Sequence, residues 1–194
     1  SRLRYGSIMI MTDQDHDGSH IKGLIINFLH HFWPSLLALP NFLQVFITPI
    51  VKCTKGNQVM KFYTTPEYES FVDSVNIKQW KVKYYKGLGT SNAKEAKEYF
   101  SNLDRNRLHF EEIDADGGQL IDLCFSKARV EDRKRWIMNY SSGTFIDFTQ
   151  KRMTYDDFIN KELVIMAVAS NLRGIPNVID GLKPSQRKIL FSCL

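Results

Sequence analysis

The run Ser7-Ile8-Met9-Ile10-Met11-Thr12-Asp13-Gln14-Asp15-His16-Asp17-Gly18-Ser19-His20 decides how the chain is read. Its apolar opening predicts a short buried strand of parallel type. Asp13, Asp15 and Asp17 then alternate along the chain. Three crowded carboxylates repel one another at neutral pH unless a cation sits among them. A hard, oxygen-seeking divalent ion such as Mg²⁺ suits that donor set. Gly18-Ser19 turns the chain, with Ser19 expected as a helix N-cap. Beyond it Ile21, Leu24, Ile25, Phe28, Leu29 and Phe32 recur at helical spacing, a stripe predicted to face a core. Pro34 should break that helix. Strand, loop and helix in this order form half of a βαβ unit, whose ligands gather at the carboxyl ends of the strands.

D-x-D-x-D-G also opens a calcium-binding EF-hand loop. The twelfth position of such a loop is a bidentate Glu, but here it is Leu24, and the approach is a strand rather than a helix. A plain Asp-rich turn is the other alternative, made uncomfortable by the charge crowding. His16 and His20 flank the triplet without a Cys partner nearby, and the adjacent His30 and His31 point apart, so no zinc site is expected.

Further along, residues 42–51 (FLQVFITPIV) read as one strand interrupted by Pro49, and residues 59–63 as its hairpin partner. Thr65-Pro66 predicts an N-cap and N1 opening a helix over residues 67–72. Residues 80–85 read as a strand and 86–90 as a loop. Asn92-x-x-Glu95 predicts a capping box for a helix to about Leu103. Residues 114–118 read as a polar turn and residues 120–140 as one mixed-charge helix, read as a solvated face. Residues 155–169 are again helical, 175–184 a stiff connector, and 185–194 a further helix. The fold class expected is α/β, with a truncated second module.

The chain has 194 residues, with 26 Lys+Arg against 21 Asp+Glu for a net charge of +5. This mild basic balance suits a polyanionic partner and an ordinary soluble surface equally. Cys53, Cys124 and Cys193 are widely spaced without a C-x-x-C, so reduced thiols in an intracellular protein are expected. No apolar run reaches the roughly 18 residues that span a bilayer, and no membrane partner is expected. Without an initiator Met or leader pattern, the chain reads as an excised piece of something longer.

Several of these stretches resemble a known family. IMTDQDHDGSHIKGLIINF is similar to the D-x-D-x-D-G segment of the TOPRIM fold in type IIA DNA topoisomerases, and YKGLGT (residues 85–90) to a loop downstream of it. FINKEL (158–163) and IPNVIDGLKPSQRKIL (175–190) resemble the linker and opening of the breakage-reunion domain. The flanking NFLHHFWPSLL and WKVKYYKGLGTSNAKEAKEYF favour the eukaryotic topoisomerase II branch. The resemblance implies the C-terminal half of a TOPRIM Rossmann-like parallel sheet with flanking helices (residues 1–52). An α+β extension with a helical linker (53–170) and the start of a winged-helix domain (171–194) would follow.

For function, the resemblance implies part of the cleavage and religation core of an ATP-dependent type II topoisomerase. Such an enzyme is a nuclear homodimer that acts on double-stranded DNA. Asp13 and Asp15 match its principal Mg²⁺ ligands and Asp17 a third, assisting acid, with Mn²⁺ and Ca²⁺ as substitutes. A further glutamate would lie upstream of Ser1 and the nucleophilic tyrosine downstream of Leu194. None of the eight tyrosines present is nominated as nucleophile. ATP would enter only through a domain absent here, and the piece alone is expected to be inactive. Lys86 and Gly87 match the DNA-facing loop. Lys78, Lys81, Lys83, Lys86, Lys94 and Lys97, interleaved with Trp80, Tyr84 and Tyr85, form a basic window suited to DNA backbone contact or to a solvated strand face. Lys183, Arg187 and Lys188 sit where a helix start would hold phosphates. The stretch SSGTFIDFTQK (141–151) is shorter than the family pattern. A TOPRIM nuclease or primase-like protein would share the D-x-D after a strand but not the later motifs, and a Ca²⁺-binding module is weakened by Leu24.

Overall fold

The computed structural model describes residues 3–85, 88–148 and 150–194. β1 (Ile8–Ile10) lies beside β2 (Leu43–Phe46) in the expected parallel sense, Ile8 opposite Leu43 and Ile10 opposite Val45. They are connected by α1 (His16–Phe32) and the short α2 (Pro34–Leu37), with the break falling at Pro34 as the missing N–H requires. All four residues of β2 are buried, as in a central strand covered on both faces.

The strand expected over residues 42–51 divides between two sheets. β3 (Val51–Lys55) leaves the first sheet because Pro49 cannot donate to a ladder. Ile47 is tied off instead by Asn106, whose carbonyl accepts the Ile47 N–H and whose Nδ2 donates to the Ile47 carbonyl, both at 2.8 Å. β3 pairs antiparallel with β4 (Gln58–Phe62) across Gly56, held at φ +55°, in the expected hairpin. α3 (Thr65–Ser74) follows, capped by Thr64 rather than Thr65, because the Glu67 carboxylate closes its box on the Thr64 N–H. β5 (Lys81–Tyr84) completes the three-stranded sheet on the other edge of β3.

α4 (Ala93–Ser101) opens on the predicted Asn92–Glu95 capping box, and α5 (Leu103–Asn106) leads into β6 (Arg107–Phe110). β6 runs antiparallel to β2, so the sheet is mixed where a parallel one was expected. The chain returns to it from the three-stranded extension rather than through a crossover helix. Asp114 caps α6 (Ala115–Phe125), so residues 115–118 are helix and not a free turn. The helix expected over 120–140 breaks at Ser126 before α7 (Val130–Met138). There Arg133 donates to the carbonyls of Leu123 and Ser126 (3.1 and 2.6 Å). The mixed charges of α7 form surface pairs such as Arg129–Asp132 and Lys134–Glu131. β7 (Arg152–Met153) adds parallel to β6, giving the order β1-β2-β6-β7. α8 (Tyr155–Asp157), a π-helical stretch (Phe158–Leu163) and α9 (Val164–Gly174) run on without interruption, and a connector then leads to α10 (Pro184–Cys193). Among the described residues no helix is long and apolar enough to cross a membrane.

The apolar stripe of α1 divides: Leu29 and, in part, Ile25 meet the core as expected, while Ile21, Leu24, Phe28 and Phe32 face outward. Leu24 (45% exposed) and Phe28 (50%) lie open, while Gly18, Lys22, Gly23, Ile26 and Leu29 are buried. Closeness of packing selects that face: a Cβ on Gly23 would come within 2.9 Å of the Phe125 ring and 3.2 Å of Leu163. Lys22 tolerates burial because its ammonium meets Glu162 at 2.6 Å. The core behind this helix joins Ile26, Leu29, Val45, Leu108, Phe158 and Leu163. A second, smaller cluster (Val51, Cys53 and Phe62) fills the three-stranded sheet.

Candidate metal and nucleic-acid site

The aspartate loop hangs at the carboxyl ends of the parallel pair β1 and β2, where ligands of such units collect. Gln14, not singled out from the sequence, holds it there by donating to the Phe46 carbonyl at the end of β2 (3.2 Å). Asp15, rather than the expected Ser19, is the N-cap of α1, accepting the Gly18 N–H at 2.7 Å. An aspartate one turn earlier captures the first free amides, and Ser19 is left to donate to Glu162 (2.7 Å).

Asp13 reaches across the molecule. Its Oδ1 accepts the backbone N–H of Leu88 at 2.6 Å, joining the D-x-D-x-D-G stretch to the loop of residues 85–90. Asp17 turns outward onto Arg173 at the end of α9, which grips both its oxygens. That hydrogen bond holds the Asp17 carboxyl below the usual carboxylate range. The triplet therefore divides. Asp13 and Asp15 are exposed at the strand ends, each with an Oδ2 that accepts nothing from another described residue. Among the described residues no group of three or more His, Cys, Asp or Glu side chains is placed to hold a metal ion.

The Oδ2 atoms of Asp13 and Asp15 suit a hard divalent ion such as Mg²⁺, which is commonly held by one or two carboxylates and completes its shell with water and substrate phosphate. His16 and His20 are exposed beside them. An open groove of about 810 Å³ runs alongside, lined by Asp15, His16, Ser19, Tyr84, Lys161 and Glu162 among others.

The expected DNA contacts separate in the same way. Lys86 and Gly87 lie outside the described residues. Lys83 is drawn back onto Glu95 (2.8 Å), which it shares with Lys52, and over the Tyr85 ring. Arg187 is held by Asp180 through two hydrogen bonds (2.6 and 2.8 Å). Lys78, Lys81, Lys94, Lys97, Lys183 and Lys188 are exposed. Burial pushes the Tyr63, Tyr85 and Tyr155 hydroxyls up, and a hydrogen bond to Tyr84 takes Tyr68 to about 12, opposite to an activated nucleophile.

Comparison with known proteins identifies the family. A profile of the family described as the C-terminal associated domain of TOPRIM matches residues 46–171. The DNA topoisomerase 2 of Arabidopsis thaliana is 57% identical over 97% of the chain, and the probable DNA topoisomerase 2 of Dictyostelium discoideum is 58% identical over all of it. The chain spans only 13% of either relative. A crystal structure of the Plasmodium falciparum topoisomerase II DNA-binding, cleavage and re-ligation domain superimposes with a TM-score of 0.91 at 52% identity. That match covers 98% of this chain and 26% of the other. The chain belongs to the TOPRIM C-terminal associated family, in the form carried by the eukaryotic DNA topoisomerases 2.

Proposed function

We propose that this chain is the metal-bearing part of the DNA cleavage and religation core of an ATP-dependent type II DNA topoisomerase, working in the nucleus as a homodimer on double-stranded DNA. The observation that carries the reading is the Leu88 N–H on Asp13, which unites the two motifs most specific to the family at the end of a parallel strand pair. Asp13 and Asp15 would hold Mg²⁺ with their outward oxygens, while Asp17, engaged by Arg173, stays in an outer position. A divalent ion there neutralises charge on a phosphate and on the oxygen that leaves or attacks it.

The chain's own residues supply the setting. The α1 N-terminus presents its amides beside the loop, and exposed Lys183 and Lys188 stand at the start of α10 for backbone contacts. The tyrosine nucleophile and the ATP-binding domain belong to other parts of the protein. Asp13→Ala or Asp15→Ala in the full-length protein should abolish Mg²⁺-dependent cleavage while leaving DNA binding within a few-fold of wild type. Normal cleavage by both variants overturns the assignment.

A further inference from the structure

Glu95, in the first turn of α4, is 6% exposed and more heavily engaged than a helix cap requires. A buried carboxylate is costly unless fully partnered, so its partners show where the chain needs to be fixed. Oε1 accepts from the Tyr85 hydroxyl at 2.7 Å. Oε2 accepts from the Asn92 N–H at 3.0 Å and from Lys83 Nζ at 2.8 Å. Lys52, on β3, approaches Oε1 at 3.4 Å. Tyr85 and Asn92 stand on either side of the turn at Leu88–Thr90, so one carboxylate holds the chain both before and after it. Leu88, in that turn, donates to Asp13.

The same chain contains an internal control. Glu67 closes the corresponding capping box on α3, but it is exposed and its Oε2 takes only the N–H groups of Tyr63 and Thr64. A capping box thus needs neither burial nor long-range partners. The additional partners of Glu95 come from β3, β5 and the residue after β5, and serve the turn.

We propose that Glu95 is a positioning residue for the metal-binding loop. It clamps the chain at Tyr85 and Asn92, fixes where the Leu88 N–H points, and through that amide orients the Asp13 carboxylate. The inference rests on Asp13 being a metal ligand. Full-length protein carrying Glu95→Gln, Tyr85→Phe, Glu67→Gln or Asp13→Asn separates the two ideas. Hydrogen exchange is read at the Leu88 amide, and DNA cleavage is titrated with Mg²⁺.

With Glu95→Gln or Tyr85→Phe the Leu88 amide should exchange about tenfold faster, the ratio expected on losing one charge-assisted hydrogen bond. The half-saturating Mg²⁺ should rise several-fold, with cleavage at saturating Mg²⁺ retained. Glu67→Gln should change neither readout. Tyr85→Phe carries the test if Glu95→Gln does not fold, since it leaves the carboxylate and its helix cap in place. Unchanged exchange at Leu88, or faster exchange with an unchanged Mg²⁺ dependence, overturns the clamp while an inactive Asp13→Asn still upholds the ligand reading. Wild-type Mg²⁺ dependence in Asp13→Asn overturns the ligand reading, and the clamp with it.

Discussion

A methyl group added at Gly18 would lie 1.9 Å from the carbonyl oxygen of Asp13 and 2.9 Å from its carbonyl carbon. Both obstacles are backbone, so neither can swing aside. The final glycine of D-x-D-x-D-G is required by the closeness with which α1 starts against its own loop, not by an unusual φ. Gly18→Ala should cost about 1–3 kcal/mol, the usual range for overpacking a tight site. It should also displace Asp13 and Asp15 together, so cleavage falls further than the lost stability alone explains. Denaturant titration alongside a cleavage assay checks both. Asp17 should behave differently, because Arg173 already occupies its two oxygens. Asp17→Ala is expected to reduce cleavage less than Asp13→Ala when the two are assayed side by side, and equal losses would mean that Asp17 serves as an inner ligand.

At the scale of elements, the Lys22–Glu162 contact joins α1 to the π-helical stretch through a lysine whose side chain is 4% exposed. Lys22→Ala strands Glu162 beside Ser19 and should cost about 3–5 kcal/mol. Paired replacement by Lys22→Met and Glu162→Gln should recover most of that, as a shift of the urea midpoint would report. This pair also marks what the sequence concealed. Elements with local causes were legible: the stop at Pro34, the hairpin at Gly56 and the Asn92–Glu95 box each depend on two or three neighbouring residues. The exact orientation of α1 was not, because beside Ile26 and Leu29 its buried face includes Gly18, Gly23 and Lys22. Hydropathy assigns none of these three to a core, and the partners of Lys22 and Gly23 lie more than a hundred positions away at Glu162 and Leu163. The same holds in the site. The aspartates were visible as a motif, but their division among Leu88, Gly18 and Arg173 depends on chain segments that only folding brings together.

Across the whole molecule, the buried carboxylate of Glu95 links the three-stranded sheet to α4, and through the loop between them to the strand ends of the other sheet. Burial by itself would raise its pKa. The hydrogen bonds from Lys83, Tyr85 and Asn92 outweigh that and hold the group at about 2, from an ordinary 4.5. A carboxyl depressed in the folded state gives stability that is fully present above its unfolded pKa and is lost as pH falls toward the folded one. The window is therefore about pH 4.5 down to 2, and a shift of this size corresponds to about 3 kcal/mol across it. Glu98, held low by Lys61, and Asp157, where Lys161 and Thr154 outweigh burial, change in the same direction. Burial beside Arg107 and Arg152 holds the His109 imidazole below its ordinary 6.5, so stability measured by urea titration should begin to decline as pH falls below about 6.5 and fall steeply below 4.5. Glu95→Gln should be less stable at neutral pH and should lose much of that acid slope. An unchanged slope in the variant would mean that other carboxylates carry the acid response and that Glu95 is not the principal electrostatic tie between the two sheets.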